Sequence, residues 1–247
     1  MLTWWLARPE ERLPGGTGWL TPAERSVAAR MRYAKRRTDF LLSRWTLKLA
    51  VARILGWPAD DAGLTRIEAR SAADGAPELF ADGRPVARGI SLTDRAGWAA
   101  CLVADRPAAI GCDLELVEPR SDAFVRDYLT DAERDLVLAA GQARDVAANL
   151  IWSAKESALK VLRTGLRRDT RSVEVTVRDL MPPEHAWSPL LARTSEDALF
   201  PGWWRRSGPF VLTACASGDF PRPAPLETAS PLDQASPSHR WLDRPLA

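Results

Sequence analysis

The sequence predicts a mixed α/β or α+β fold built in two successive halves that meet near residue 110. Three observations predict it. Each half carries a helix-opening signal, Thr21-Pro22-Ala23-Glu24 in the first and Thr130-Asp131-Ala132-Glu133 in the second, with Thr as N-cap and Glu closing a capping box. Each half carries a longer helical run, and apolar strand-like runs flank those helices. That order suggests two similar lobes, although no short sequence repeat accompanies it.

Thr3-Trp4-Trp5-Leu6-Ala7 is a short apolar run and reads as the first strand. Gly15, Gly16 and Gly18 mark a loop before the first capping box. A basic stretch from Arg30 to Arg37 leads into Phe40, Leu41, Trp45, Leu47, Leu49 and Ile54, which have helical spacing and end near Gly56-Trp57-Pro58. Residues 68–89, rich in Gly, Pro, Asp and Ala, read as turns between short strands. Gly97 to Ala104 and Ala108 to Leu116 are continuous apolar runs, as buried strands are. Ser121 to Leu129 is a helix, and a second begins at the Thr130 capping box and ends near Gly141. A long helix runs from about Asp145 to Arg163 and stops at Gly165. Val173, Val175 and Val177 alternate with polar residues, so this is a half-buried strand. Residues 182–208 read as irregular with one strand, and Phe210 to Ala216 as the last apolar strand. The boundaries expected are a first lobe over 1–109, a second over 110–220 and a Pro- and Ser-rich disordered tail over 221–247, where six of the 19 prolines lie.

Composition narrows the function. Of 247 residues, 46% are apolar and 27% charged, which excludes wholesale disorder and fibrous repeats. A net charge of +2 gives no argument for nucleic acid or membrane. The apolar runs are too short to cross a bilayer, and Met1 to Arg8 lacks the basic start of a signal peptide. Three cysteines, Cys101, Cys112 and Cys215, make no disulfide framework; a reducing, cytoplasmic setting is expected. With only two histidines, His185 and His239, histidine-based catalysis or a His-rich zinc site is improbable. Lysine is rare, with Lys35, Lys48, Lys155 and Lys160 as the whole set, and two of these lie five residues apart.

Ile110-Gly111-Cys112-Asp113-Leu114-Glu115-Leu116, read as a strand, points Cys112, Leu114 and Leu116 one way and Asp113 and Glu115 together the other. Adjacent carboxylates repel unless a cation sits between them, and hard oxygen donors suit Mg²⁺ or Mn²⁺. An ordinary solvent-facing strand is the plain alternative. On the long helix, Trp152, Glu156 and Lys160 share a face that Lys155 borders. An exposed Glu–Lys pair explains Glu156 and Lys160 alone, but not a large ring and two of the chain's four lysines on one side.

Gly111-x-Asp113-x-Glu115, followed some forty residues later by Trp152-x-x-Lys155-Glu156-x-x-x-Lys160, resembles the 4′-phosphopantetheinyl transferases. It is most similar to the larger, two-lobed type that activates peptide and polyketide synthases. Arg37-Thr38 with Phe40-Leu41-Leu42 resembles the family's basic N-terminal helix. Gly75-Ala76-Pro77, Ile90-Ser91-Leu92-Thr93 and Gly97-Trp98 fall on its turn and strand segments. The resemblance implies two similar lobes in a pseudo-twofold arrangement, with the active site in the cleft between them. It implies Mg²⁺, or Mn²⁺, held by Asp113, Glu115 and Glu156 with the pyrophosphate of coenzyme A. Lys160 would contact that pyrophosphate with Lys155 nearby, and Arg37 and Thr38 would hold the 3′-phosphate. Glu133 falls on a family acidic position; a purely structural carboxylate is the alternative.

The resemblance has two departures. Thr93-Asp94-Arg95 stands where the family has Ser-His-Ser, so Asp94 replaces a residue that binds the 3′-phosphate, with Arg95 beside it. Ala76 lacks the basic side chain of the family's Gly-Lys-Pro. Both weaken the expected nucleotide grip and leave the metal centre intact. The implied reaction moves the phosphopantetheine arm of coenzyme A onto a serine of an apo acyl or peptidyl carrier protein and releases 3′,5′-ADP. The base is Glu156, Glu133 or a metal-bound water. The enzyme is expected to be a monomer that binds neither nucleic acid nor membrane. The competing readings are a non-catalytic relative that binds carrier protein or nucleotide, and a Mg²⁺-dependent nucleotide hydrolase.

Overall fold

In the computed structural model, which describes residues 1–238, the first lobe opens on β1 (Thr3–Pro9). Two helices follow, α1 (Pro22–Arg30) and α2 (Ala34–Leu55), broken at Met31–Tyr33, then the short α3 (Asp61–Leu64). β2 (Ile67–Ser71), β3 (Pro77–Ala81) and β4 (Arg84–Pro85) form a small antiparallel sheet of their own. β5 (Ile90–Arg95) and β6 (Trp98–Ala104) return beside β1.

The second lobe repeats that order. It runs β7 (Ile110–Leu116), α4 (Asp122–Tyr128), α5 (Asp131–Ala139), α6 (Arg144–Val161), β8 (Val173–Val177), β9 (Ser188–Thr194), β10 (Leu199–Ser207) and β11 (Phe210–Ala216). The first-lobe sheet has the order β1-β6-β5 and the second β7-β11-β10-β9-β8. In both, the lobe's first strand pairs with its last, and the last with the one before it. The long helix packs on the first and last strands in each lobe: α2 on β1 and β6, α6 on β7 and β11. The mixed α+β, two-lobed fold is as expected. The region 182–208 differs, since it holds the hairpin β9–β10 rather than one strand. Pro201-Gly202 inside β10 is a pair that interior strands disfavour.

A matched pair of buried ion pairs makes the internal likeness concrete. Glu24, the third residue of α1, closes its capping box and lies 2.6 Å from the Lys48 ammonium of α2. Lys48 also donates to the Trp19 and Leu64 carbonyls, and Glu24 accepts the Ala69 N–H of β2. Glu133, the third residue of α5, closes the second capping box and lies 2.8 Å from the Lys155 ammonium of α6. Lys155 donates to the Thr170 and Val173 carbonyls, and Glu133 accepts the Val175 N–H of β8. Trp45-Thr46-Leu47-Lys48 and Trp152-Ser153-Ala154-Lys155 are the matching helix segments. Each lobe thus ties a short helix, the long helix and the following strand with one buried cation, which satisfies its own charge by three acceptors.

α6 ends at Val161 rather than at Gly165. Arg163 takes the left-handed conformation at φ 57°, and the Thr164 N–H closes back on the Leu159 carbonyl at 3.1 Å. A non-glycine residue there costs roughly 1–2 kcal/mol, and the reversal aims the Arg163 side chain toward the first lobe, at Asp74.

Residues 221–238 are not the disordered tail expected; Trp241-Leu242 lies outside the described residues. β12 (Ala224–Pro225) adds to the edge of β1, and the Leu226 N–H bonds the Trp5 carbonyl at 3.0 Å. Leu232 is fully buried among strands of both lobes. Asp233 accepts from Arg205 Nη2 at 2.6 Å and Ser207 Oγ at 3.0 Å. The buried Arg205 guanidinium lies over the rings of Trp5 and Trp187, 4.8 and 5.8 Å from their centroids. The segment therefore completes the core between the lobes. Removing the Asp233 carboxylate strands a buried guanidinium, so Asp233→Ala is expected to lower stability by about 2 kcal/mol, read from the urea midpoint. An unchanged midpoint would mean the strap carries no load.

Cys101, Cys112 and Cys215 are buried and unpaired. Burial pushes the Cys112 thiol up to about 11 and the Cys215 thiol to about 12. None has the character of a nucleophile.

Candidate active site

β7 presents the site because it lies hard against α6. Gly111 allows this: a Cβ there would fall 1.9 Å from the Ser157 carbonyl oxygen. The core face of β7 is Cys112, Leu114 and Leu116, each at most 1% exposed, so Asp113 and Glu115 emerge together on the other face, as the alternation predicts.

Asp113 is held by one oxygen. Its Oδ1 accepts from Thr93 Oγ1 of β5 at 3.1 Å and from Lys160 Nζ of α6 at 2.9 Å. Its Oδ2 is buried with no hydrogen-bond partner. Such an orphan acceptor is costly and asks for a cation or a donor. Lys160 also donates to the Cys112 carbonyl at 2.7 Å. Burial works against its ammonium, but Asp113 and the other neighbouring acids hold its pKa above the ordinary lysine value.

Glu156, one helical turn before Lys160, is half-buried and has neither a hydrogen bond nor an ion pair among the described residues. Burial, then the charges of Asp113 and Glu115, lift its carboxyl to about 7. A carboxyl raised in the folded state binds a proton that the unfolded chain has already lost above its ordinary pKa. Without cation, Glu156 therefore weakens the native state as pH rises from about 4.5 to 7. Glu156→Gln is expected to remove that component, so its unfolding midpoint should fall less steeply than the parent's over this range. Parallel curves would show that Glu156 is not perturbed.

Glu115 is fully engaged. Its Oε1 accepts from Trp152 Nε1 at 3.0 Å, and its Oε2 lies 3.1 Å from Arg95 Nε and 3.0 Å from Arg120 Nη2. Burial and Asp113 raise its pKa, and the two arginines oppose them. Among the described residues, no group of three or more His, Cys, Asp or Glu side chains is arranged to hold a metal ion.

The remaining expected residues divide. Thr93 spends its hydroxyl on Asp113 and accepts the Leu114 N–H, so it orients the carboxylate rather than facing a nucleotide. Arg95 turns across to Glu115 and Glu118 and is not placed on a 3′-phosphate. Asp94 accepts from Ser43 Oγ of α2 at 3.2 Å; withdrawal from water, then Asp39, raises its pKa. Arg37 and Thr38 stand on the first turn of α2 and do not line the main cleft. Lys155 and Glu133 are outside the site, each at most 1% exposed and paired with the other. Their expected contacts with pyrophosphate and substrate give way to the capping and ion-pair role described above.

A cleft of about 830 Å³ runs between the lobes from Lys160. Arg44, Arg88, Arg163 and Arg167 line it together with Gly75, Ala76 and Pro77. Arg44 was missed by the sequence reading. It lies over the Phe40 ring at 4.6 Å, and its Nε is buried without a partner. Only its i, i+4 spacing from Phe40 could have marked it. The place where Ala76 lacks a basic side chain is served from the other lobe: Arg163 meets the Asp74 carboxylate at 3.3 Å and Arg167 the Asp74 carbonyl at 3.1 Å. No helix among the described residues is long and apolar enough to cross a membrane.

Residues 109–215 match the family profile of the 4′-phosphopantetheinyl transferase superfamily. Among solved structures, the Thermotoga maritima holo-[acyl-carrier-protein] synthase is similar over 50% of this chain and 71% of that one, at 20% identity and a TM-score of 0.33. No curated protein matches the chain. The matched segment, less than half of the chain, contains Asp113, Glu115, Glu156 and Lys160, and through it the chain is similar to the 4′-phosphopantetheinyl transferase superfamily.

Proposed function

We propose that this transferase moves the 4′-phosphopantetheine arm of coenzyme A to a serine of an apo carrier protein of peptide or polyketide synthesis, with a divalent cation and with release of 3′,5′-ADP. The observation that carries the reading is Asp113, locked by Thr93 and Lys160 through one oxygen and presenting the other, buried and unpaired, beside the unpaired Glu156. Hard carboxylate oxygens next to a cleft lined by arginines suit Mg²⁺ with a pyrophosphate. Asp113 and Glu156 fit that ion; Glu115, spent on two arginines, does not.

When bound, Mg²⁺ would neutralise pyrophosphate charge and polarise the phosphorus under attack. The chain's own residues do the rest. Arg44, Arg88, Arg163 and Arg167 draw the nucleotide's phosphates into the cleft. Lys160 holds Asp113 in place by its ion pair and offers its ammonium to the phosphate that leaves. Glu156, which has no hydrogen bond or ion pair among the described residues, is placed to accept the proton of the carrier serine through a carboxylate oxygen. The serine oxygen–phosphorus bond forms as the bond from the β-phosphorus to the bridging oxygen of ADP breaks, so the proton ends on the protein and the charge on 3′,5′-ADP. With both lobes in one chain, the enzyme acts as a monomer in the cytoplasm.

Intact-mass analysis of apo carrier proteins incubated with the enzyme, Mg²⁺ and coenzyme A or dephospho-coenzyme A tests this. One added phosphopantetheine arm from coenzyme A is expected. A gain only from dephospho-coenzyme A would show that Asp94 excludes the 3′-phosphate. Binding without any gain would replace the transferase with a non-catalytic relative, and free phosphopantetheine would indicate a hydrolase.

A further inference from the structure

The acids lining the cleft are Asp74 and Glu78, both from the first lobe. Asp74 stands on the turn between β2 and β3, which the Ala72 N–H closes on the Ala76 carbonyl at 2.8 Å and the Gly75 N–H on the Ala72 carbonyl at 2.9 Å. One Asp74 oxygen, Oδ1, accepts the Ala76 N–H at 2.9 Å. The other, Oδ2, reaches across the cleft to Arg163 Nη1 at 3.3 Å. Arg167 completes the crossing, donating to the Asp74 carbonyl at 3.1 Å and to the Arg163 carbonyl at 3.0 Å. Of the four arginines on the cleft, only Arg163 has a carboxylate within ion-pair distance among the described residues. The Ala76 N–H, then Arg163, hold the Asp74 carboxyl below the ordinary aspartate value, so it is charged at neutral pH. Arg163 adopts its left-handed conformation at φ 57° to face this turn, and such strain marks functional segments.

We propose that Asp74 is an internal competitor for the nucleotide: it occupies Arg163 and Arg167 across the cleft in the free protein, and an incoming phosphate group displaces it and unlatches the β2–β3 turn from the second lobe. This rests on the reading of the cleft as the nucleotide site. Carboxylate and phosphate are alternative partners for the same guanidinium, and a phosphate brings more charge and more acceptor oxygens. The strength of the latch suits that exchange. The Arg163 and Asp74 side chains are 50% and 37% exposed. A pair so open to water shifts an equilibrium by about fivefold at most, enough to bias the free protein and little enough for a polyphosphate to overcome. With Ala76 beside it instead of a basic residue, the turn offers Asp74 no cation of its own, so the arginines of the opposite lobe are its partners.

Titration calorimetry of coenzyme A into the full chain, with divalent cations chelated, tests this without turnover. Asp74→Asn keeps an oxygen for the Ala76 N–H and removes the charge on Arg163; it is expected to tighten coenzyme A about three- to fivefold. Glu78→Gln takes the same charge from the same wall without touching either arginine, and is expected to stay within about twofold of the parent. In a chain that carries Arg163→Gln and Arg167→Gln, adding Asp74→Asn is expected to change nothing further, because the competitor has lost its partners. Unchanged or weaker binding in Asp74→Asn overturns the latch. So does an equal gain from Glu78→Gln, or a gain from Asp74→Asn that persists without the arginines, since either would make Asp74 a source of bulk repulsion only. A parent protein that takes up no coenzyme A overturns the reading of the cleft itself.

Discussion

Asp113→Asn is expected to slow transfer to a carrier protein by roughly three orders of magnitude, about 4 kcal/mol in the barrier, while leaving the fold intact. The substitution keeps the shape of the side chain and one acceptor oxygen. Thr93 and Lys160 can still reach that oxygen. What changes is the other end, where the buried, unpartnered Oδ2 becomes an amide that donates instead of accepting. The charge that sustains the Lys160 ammonium disappears in the same step. Thr93→Val removes only the orienting hydroxyl and is expected to cost roughly tenfold, as loss of a supporting contact does. Single-turnover mass analysis at saturating Mg²⁺ measures both. A rate within tenfold of the parent in Asp113→Asn would remove Asp113 from the chemistry.

Lys155→Met is expected to destabilise the protein by about 3–5 kcal/mol, a large part of the roughly 5–15 kcal/mol that holds a domain together. The variant leaves Glu133 buried and unpaired, and leaves the Thr170 and Val173 carbonyls without their donor. Lys48→Met removes the corresponding contacts in the first lobe, on Glu24, Trp19 and Leu64, and a similar cost is expected there. Combining Lys155→Met with Glu133→Gln should cost less than the sum, because the second change removes the stranded charge. Urea unfolding of the parent, the three single variants and the double variant measures these values. If Lys155→Met unfolds like the parent but loses transfer, Lys155 is a ligand-contacting residue and its burial here does not describe the working enzyme.

Much of the fold is legible in the residues. Thr21-Pro22-Ala23-Glu24 and Thr130-Asp131-Ala132-Glu133 announce α1 and α5, because caps and backbone donors are local chemistry. Alternation along β7 identifies the face that carries Asp113 and Glu115. The β9–β10 hairpin is not legible, since an interior strand containing Pro201-Gly202 is sustained by its two neighbours rather than by its own propensity. The strap over 221–238 is hidden for a similar reason: its composition is that of a loose tail, and partners distant in sequence, among them Trp5, Arg8, Trp98 and Arg205, order it. Trp45-Thr46-Leu47-Lys48 and Trp152-Ser153-Ala154-Lys155 share only their Trp and Lys, too little to read as a repeat from sequence. They become meaningful once Lys48 and Lys155 are seen to play one part in two lobes.

The sequence by itself determined the residue types of the site and the strand and helix that bear them, which follow from periodicity along single elements; the grouping of Asp113, Glu115, Glu156 and Lys160 into one site was implied by a resemblance. Only the tertiary structure decided what each of them touches. It sent Lys155 and Glu133 into the core, turned Arg95 onto Glu115, brought Arg44 and Arg163 to one cleft, and left Asp113 Oδ2 and Glu156 without partners among the described residues. The physical reason is that a charged side chain's role is fixed by its partners and its access to water. Those come from elements distant in sequence, whose approach no local pattern encodes.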